Sequence, residues 1–268
     1  MRSWTFALAL VLAAPLPALA GACGDDVAGR RVACRCGDTV VSDTRILADD
    51  PVVAERCRLD GLLIRAGKDA ESITLDLDGH RIRGSGAGIG VRVMYGGTDG
   101  VQLVGASAPP RGAIVGFGIG LSATDTNALA RVVRLELRDN RDEGARVTIA
   151  GTVFEDVVAS GNSRDGFSVR GTGGRFADVS ANANGENGFR LFADNAAVGV
   201  AATGNARTGI IIDGTDNDLH AAEAVGNGRD GIVARGTGGD WEVSRCEGNA
   251  RDDLRATGRA PENAEGPR

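Results

Sequence analysis

The chain has 268 residues, with 30 basic and 36 acidic side chains, 41 glycines and only 4% aromatic residues. A net negative charge argues against binding nucleic acid or an anionic membrane through bulk electrostatics. So much glycine points away from a helical protein and toward short strands joined by tight turns.

The first element is MRSWTFALALVLAAPLPALA. Arg2, a short apolar core and the small-residue end Ala18-Leu19-Ala20 have the form of a secretory signal peptide over residues 1–20, with cleavage expected after Ala20. The apolar core is too short for a membrane span and ends in prolines. A lipoprotein signal at Cys23 is the weaker rival, because Leu19 sits one place too far from that cysteine. The mature chain is therefore expected to be soluble, without a membrane span, and secreted or periplasmic. Removing the leader leaves 29 basic against 36 acidic residues, a net of −7. The single lysine, Lys68, lies in RAGKDAES, which suits neither a phosphate loop nor a Schiff base.

Residues 21–65 hold Cys23, Cys34, Cys36 and Cys57. In an oxidising compartment such a cluster reads as a disulfide-stapled N-terminal cap. Four cysteines allow three pairings, of which Cys23–Cys34 with Cys36–Cys57 is favoured. Metal ligation is the rival reading, and C-x-C without a nearby histidine is a poor zinc pattern.

Next come short alternating runs. SITLDLDGHRIRGSGAGIGVRV (72–93) alternates through Ile73, Leu75 and Leu77, and VQLVGASAPPRGAIVGFGIGL (101–121) gives two more strand pairs. Gly88, Gly118 and Gly144 are expected to be equivalents in successive coils.

From here a repeat takes over. Asn140, Asn162, Asn184, Asn205, Asn227 and Asn249 fall at intervals of 22 or 21 residues, and Gly144, Gly166, Gly188, Gly209 and Gly231 follow four places after the first five. Strand periodicity flanks both marks. After the glycine come pairs such as Phe167/Val169 and Ile210/Ile212. Before the asparagine come triplets such as Phe154/Val157/Ala159, for which Val198/Val200/Ala202 and Trp241/Ser244/Cys246 are the expected later members. A unit of this size cannot bury its own apolar face, whereas stacked units can. The expected fold is all-β: a single-stranded right-handed parallel β-helix over residues 66–257, of about eight coils, with a disordered tail at 258–268. The asparagines should form an internal ladder and, with the glycines, take up unusual turn dihedrals. Cys246 falls in the small column of Ala159, Ala181, Ala202 and Ala224 and is expected to be a buried free thiol.

LDLDGHRIRG followed by N-x-x-x-G-[IF] repeats resembles secreted bacterial right-handed parallel β-helix proteins of the pectate-lyase-like fold group. The resemblance covers roughly residues 36–257. It implies the fold firmly and the function poorly, because the group contains lyases, hydrolases, epimerases and members without known activity. The DPHD motif of the mannuronan epimerases is absent, so that activity is not carried over.

Several groups are candidates for chemistry. The outward columns before the asparagines place His220, Glu223, Glu242 and Arg245 on the last two coils as an acid/base patch; the alternative is a solvated sheet face with weak ion pairs. Asp76 and Asp78 form a D-x-D that would suit calcium, the one cofactor expectation. His80 ends a strand and the resemblance makes it structural. Arg164, Arg207, Arg229 and Arg251 form a stripe able to grip an acidic polysaccharide, unless each is screened by the aspartate beside it. The sequence therefore favours a monomeric, non-catalytic scaffold or glycan-binding module with an extended polysaccharide as its partner. A polysaccharide-processing enzyme is the alternative.

Overall fold

The computed structural model describes residues 21–65, 72–95, 99–124, 129–148, 150–192 and 194–257. The expected leader at 1–20, Lys68 and the expected tail at 258–268 lie outside the described residues. The chain winds as a parallel β-helix. One lap shows the plan: strand Val153–Glu155, a bend at Asp156, strand Val158–Ser160, the asparagine turn, then strand Phe167–Val169. Each strand pairs in parallel with its counterpart one lap on, so that Phe154 faces Phe176, Ala159 faces Ala181 and Phe167 faces Phe189.

The strands after the asparagine turn form an 11-stranded sheet. Those before it form a 16-stranded sheet with two wings, joined where the longer strand Asp218–Val225 runs through the bend and pairs with both Ala196–Val198 and Ala201–Thr203. The inward column Leu62, Val91, Leu121, Ala145, Phe167, Phe189, Ile210, Ile232 and Leu254 traces the axis through eight laps. Within the core Phe154 stacks on Phe176 with ring centroids 5.2 Å apart, and Phe167 on Phe189 at 5.0 Å. Such pairs add about 0.5–1.5 kcal/mol each to the area they bury.

The asparagine ladder forms as expected. Asn184 donates from Nδ2 to Asn205 Oδ1 (2.9 Å) and to the Ala159 carbonyl (3.2 Å), and its own Oδ1 accepts from Asn162 N and Nδ2 (3.1 and 2.9 Å). All four hydrogen-bonding positions of the buried amide are filled. At the first step Asn140 Oδ1 accepts the Phe117 N–H, and at the last Asn249 Nδ2 donates to Asp253 Oδ1.

The dihedral expectation needs correction. The left-handed residue is the one before each asparagine: Asp139, Gly161, Ala183, Gly204, Gly226 and Gly248, with φ between 53° and 66°. The repeated glycine is required by space. A Cβ on Gly166 would lie 2.7 Å from the Gly188 carbonyl oxygen and 2.9 Å from Asn184 Nδ2. The column also runs differently upstream. Gly88 and Gly118 are equivalent, but Gly144 aligns with Gly120, since Leu121 pairs with Ala145.

Two inward assignments move as well. Ala197 is buried where Val198 was expected, and Val198 is 50% exposed, because the lap loses its one residue before Ala197 rather than after it. In the last lap Val243, not the exposed Ser244, packs against the core, across a register shift in the pairing with Asp218–Val225.

At the N-terminus Cys23–Cys34 and Cys36–Cys57 are both bonded. Two disulfides fit an oxidising compartment. The capping segment joins the stack: Thr39–Val40, Thr44–Arg45 and Arg56–Cys57 each pair with a strand of the following lap. Buried Asp50 ties it together, accepting from Arg31 Nη2 (2.7 Å), Cys34 N (3.1 Å) and Leu47 N (2.7 Å). Cys246 continues the column of Ala159, Ala181, Ala202 and Ala224 as a buried free thiol. Its burial, aided by the Asp253 charge, pushes the thiol pKa up to about 11.

Candidate functional site

His220, Glu223, Glu242 and Arg245 divide between two wings of the 16-stranded sheet. Val198 completes the outward column Glu155, Ala177, Val198, His220, and Glu242 follows it. His220 Nδ1 stands 3.8 Å from Glu242 Oε2, with the glutamate largely in solvent. Glu223 and Arg245 are register partners, but the guanidinium turns along its own strand and binds Glu247, with Nε donating at 2.8 Å. Ala221, at φ 49°, bends the chain between His220 and Glu223. Asp76 Oδ1 accepts the Asp78 N–H, and Asp78 pairs with Arg45 at 2.8 Å, which holds the Asp78 carboxyl below its ordinary pKa. Among the described residues no three metal-ligating groups cluster. His80 closes the turn after Leu77 through its backbone N–H.

Three arginines of the stripe, Arg164, Arg207 and Arg251, are screened, mainly along the stack rather than by sequence neighbours. Arg164 pairs with Asp142 one lap below (3.2 Å) and reaches Glu186 one lap above (3.9 Å); Arg207 reaches the same Glu186 (3.6 Å). The hydrogen bond to Asp142 raises the Arg164 pKa. Only Arg251 approaches the aspartate beside it, Asp252, at 3.8 Å.

This stripe is one wall of a larger feature. Beside it runs the outward column of the 11-stranded sheet: Arg146, Ser168, Arg190, Ile211, Val233 and Arg255. Between stripe and column lie two depressions, of about 260 Å³ near Arg146, Arg164 and Arg170 and about 200 Å³ near Arg190, Arg207, Arg229, Arg235 and Arg255. Together they are lined by eight arginines and three carboxylates, Glu143, Glu186 and Asp230. Phe192 lies on the same face, with the guanidinium carbons of Arg170 and Arg190 5.7 and 5.5 Å from its ring centroid. Among the described residues Arg170, Arg190, Arg229 and Arg255 make no ion pair.

The lining holds guanidiniums and carboxylates but no histidine, cysteine, lysine or tyrosine. Guanidiniums on several laps, with laps about 4.8 Å apart, present bidentate donors along the face. That arrangement suits gripping an extended anion. Sequence reasoning found Arg164, Arg207 and Arg229 but missed Arg146, Arg170, Arg190, Arg235, Arg255 and Phe192. The available signal was the alternation after each glycine, as in GFRLF (188–192), where Arg190 and Phe192 must face outward once Phe189 and Leu191 face in.

Fold and groove together define a parallel β-helix protein with a basic outer face. No protein-family model matches the sequence, and no curated protein does. Among solved structures the chain is similar to the A-module of the Azotobacter vinelandii mannuronan C-5 epimerase AlgE4, at 18% identity over 81% of this chain and 72% of that one, with a TM-score of 0.43. It is also similar to a double mutant of the periplasmic alginate epimerase AlgG, at 13% identity over 83% and 85%, with a TM-score of 0.35. No helix among the described residues is long and apolar enough to cross a membrane.

Proposed function

We propose that the protein is an exported, monomeric glycan-binding module that holds an extended acidic polysaccharide along the arginine-lined face of the 11-stranded sheet. The observation that carries this reading is the excess of arginines over carboxylates in the groove, four of them without an ion pair. Export rests on the leader at residues 1–20. Binding should be local, because the chain as a whole is acidic, and strongly weakened by salt, because most of the grip is charge.

The test is retention of the mature protein on an immobilised polyuronate against a neutral glucan, across a salt series, with and without Ca²⁺. Retention on the polyuronate alone is expected. Arg190→Glu combined with Arg229→Glu should lower it at least tenfold without changing the far-ultraviolet circular dichroism. Equal retention on both matrices, or indifference to the double substitution, overturns the reading. The approach of His220 to Glu242 favours a second reading, an acid/base pair for polysaccharide cleavage or epimerisation. Formation of unsaturated or epimerised product, lost in His220→Ala and Glu242→Gln, would establish it; no turnover by the native protein would remove it.

A further inference from the structure

Every repeat carries a polar or acidic residue just before its glycine: Glu143, Asp165, Asn187, Thr208 and Asp230, all buried. Most of them have partners. Glu143 accepts from Arg146 at 2.6 Å, and Asp165 Oδ1 accepts both Asn187 N (3.0 Å) and Asn187 Nδ2 (2.8 Å). Asn187 Oδ1 in turn accepts the Thr208 N–H at 3.2 Å. Asp230 breaks the series. It is 97% buried, lines the second depression, and its Oδ1 has no hydrogen bond; Arg251 Nε stands 3.7 Å away, beyond bonding distance. In the same depression Arg190 Nε is also buried without an acceptor.

A buried carboxylate oxygen left unbonded is costly unless something else supplies a donor. A ligand that satisfied both groups would bring an acceptor to Arg190 and a donor to Asp230. A simple polyanion has only acceptors, and Asp230 would repel it. An acidic sugar has an anionic group and hydroxyl donors close together on one ring. We infer that Asp230 is a specificity-determining residue that accepts a hydroxyl of the bound sugar and so makes the groove select acidic carbohydrate over other polyanions. This rests on the groove being the polyanion site proposed above.

The experiment titrates the full mature chain with two polycarboxylates, polygalacturonate and ionised polyacrylate, the second of which has no hydroxyl groups and no hydrogen-bond donors. Asp230→Ala removes the acceptor and a negative charge; Asp230→Asn keeps the shape and matches Asn187 two laps away. For Asp230→Ala the two ligands should move in opposite directions: about tenfold weaker for polygalacturonate, from loss of a charge-assisted hydrogen bond, and tighter for polyacrylate, from loss of repulsion. Asp230→Asn should lie between, and both variants should melt no lower than the native protein, since the carboxylate forms no internal hydrogen bond. A change of the same sign for both ligands, or polygalacturonate affinity within twofold of native, overturns the role of Asp230 while leaving the groove intact. If the native protein binds neither ligand, the groove reading itself has failed.

Discussion

Asn184→Ala tests the asparagine ladder directly. Asn184 is 1% exposed. Truncation removes the acceptor for Asn162 N and for one Nδ2 proton of Asn162, and the donor to the Ala159 carbonyl. Asn205 Oδ1 fares better, because the Asn184 backbone N–H still reaches it at 3.0 Å. Two buried donors are thus orphaned at roughly 1–3 kcal/mol each and one carbonyl is under-satisfied, which puts the loss at about 4 kcal/mol. That is a large share of the 5–15 kcal/mol typical of a folded domain. The matched control is Asn182→Ala, two residues away on the outer wing, whose side chain donates only to Ser180 Oγ at 3.4 Å. It should cost less than about 0.5 kcal/mol. Urea unfolding followed by Trp241 fluorescence and circular dichroism gives the comparison. Hydrogen exchange should place the lost protection in the laps between 162 and 205, because a solenoid's stability is largely a sum of neighbouring contacts. If the two variants unfold at the same denaturant concentration, the ladder is not what holds the laps together.

Two further outcomes follow from the same geometry. Gly166→Ala should destabilise by about 2–3 kcal/mol, because its Cβ would press on the Gly188 carbonyl and Asn184 Nδ2; Gly204→Ala, at φ 63° with nothing within 4 Å, should cost only about 1 kcal/mol from backbone strain, and thermal melting ranks the two. For Cys246 the folded thiol pKa of about 11 lies above its ordinary 9.0, so the folded state holds the proton more tightly. Its contribution is complete below pH 9 and is lost as pH rises toward 11. Native protein should therefore alkylate slowly at pH 8 compared with urea-unfolded protein, and Cys246→Ala should flatten the fall in stability between pH 9 and 11; equal alkylation rates would show the thiol to be open.

The inward columns could be read from sequence because burial constrains them identically in every lap. Phe167, Phe189, Ile210 and Ile232 must all be large and apolar, so their recurrence survives changes in everything around them. The Asn and Gly marks are equally strict, one fixed by four hydrogen bonds and the other by the absence of room for a Cβ. Reading failed where lap length changed. A single residue lost before Ala197 put Val198 outside, and a register shift in the last lap put Val243 in place of Ser244. A period of two tolerates no slip, because one residue exchanges the faces.

The groove was illegible for the opposite reason. Its walls lie on the outer side of the coil, where the packing rule of the core does not force neighbouring laps to agree, so the outward column runs Arg146, Ser168, Arg190, Ile211, Val233, Arg255 without a repeating signal. The walls also come from different parts of the lap. Arg164 belongs to the asparagine turn and Arg146 to the strand of the previous lap, and only winding brings them beside one depression. A search by residue type goes to His220 and Glu242, which look reactive in isolation. What marks Asp230 is visible only in three dimensions: a carboxylate that follows the same turn as Asp165 and Asn187 but finds no hydrogen-bond donor where they find one. In a repeat protein the informative residue is the one whose environment departs from that of its equivalents, and that departure is a property of the stack.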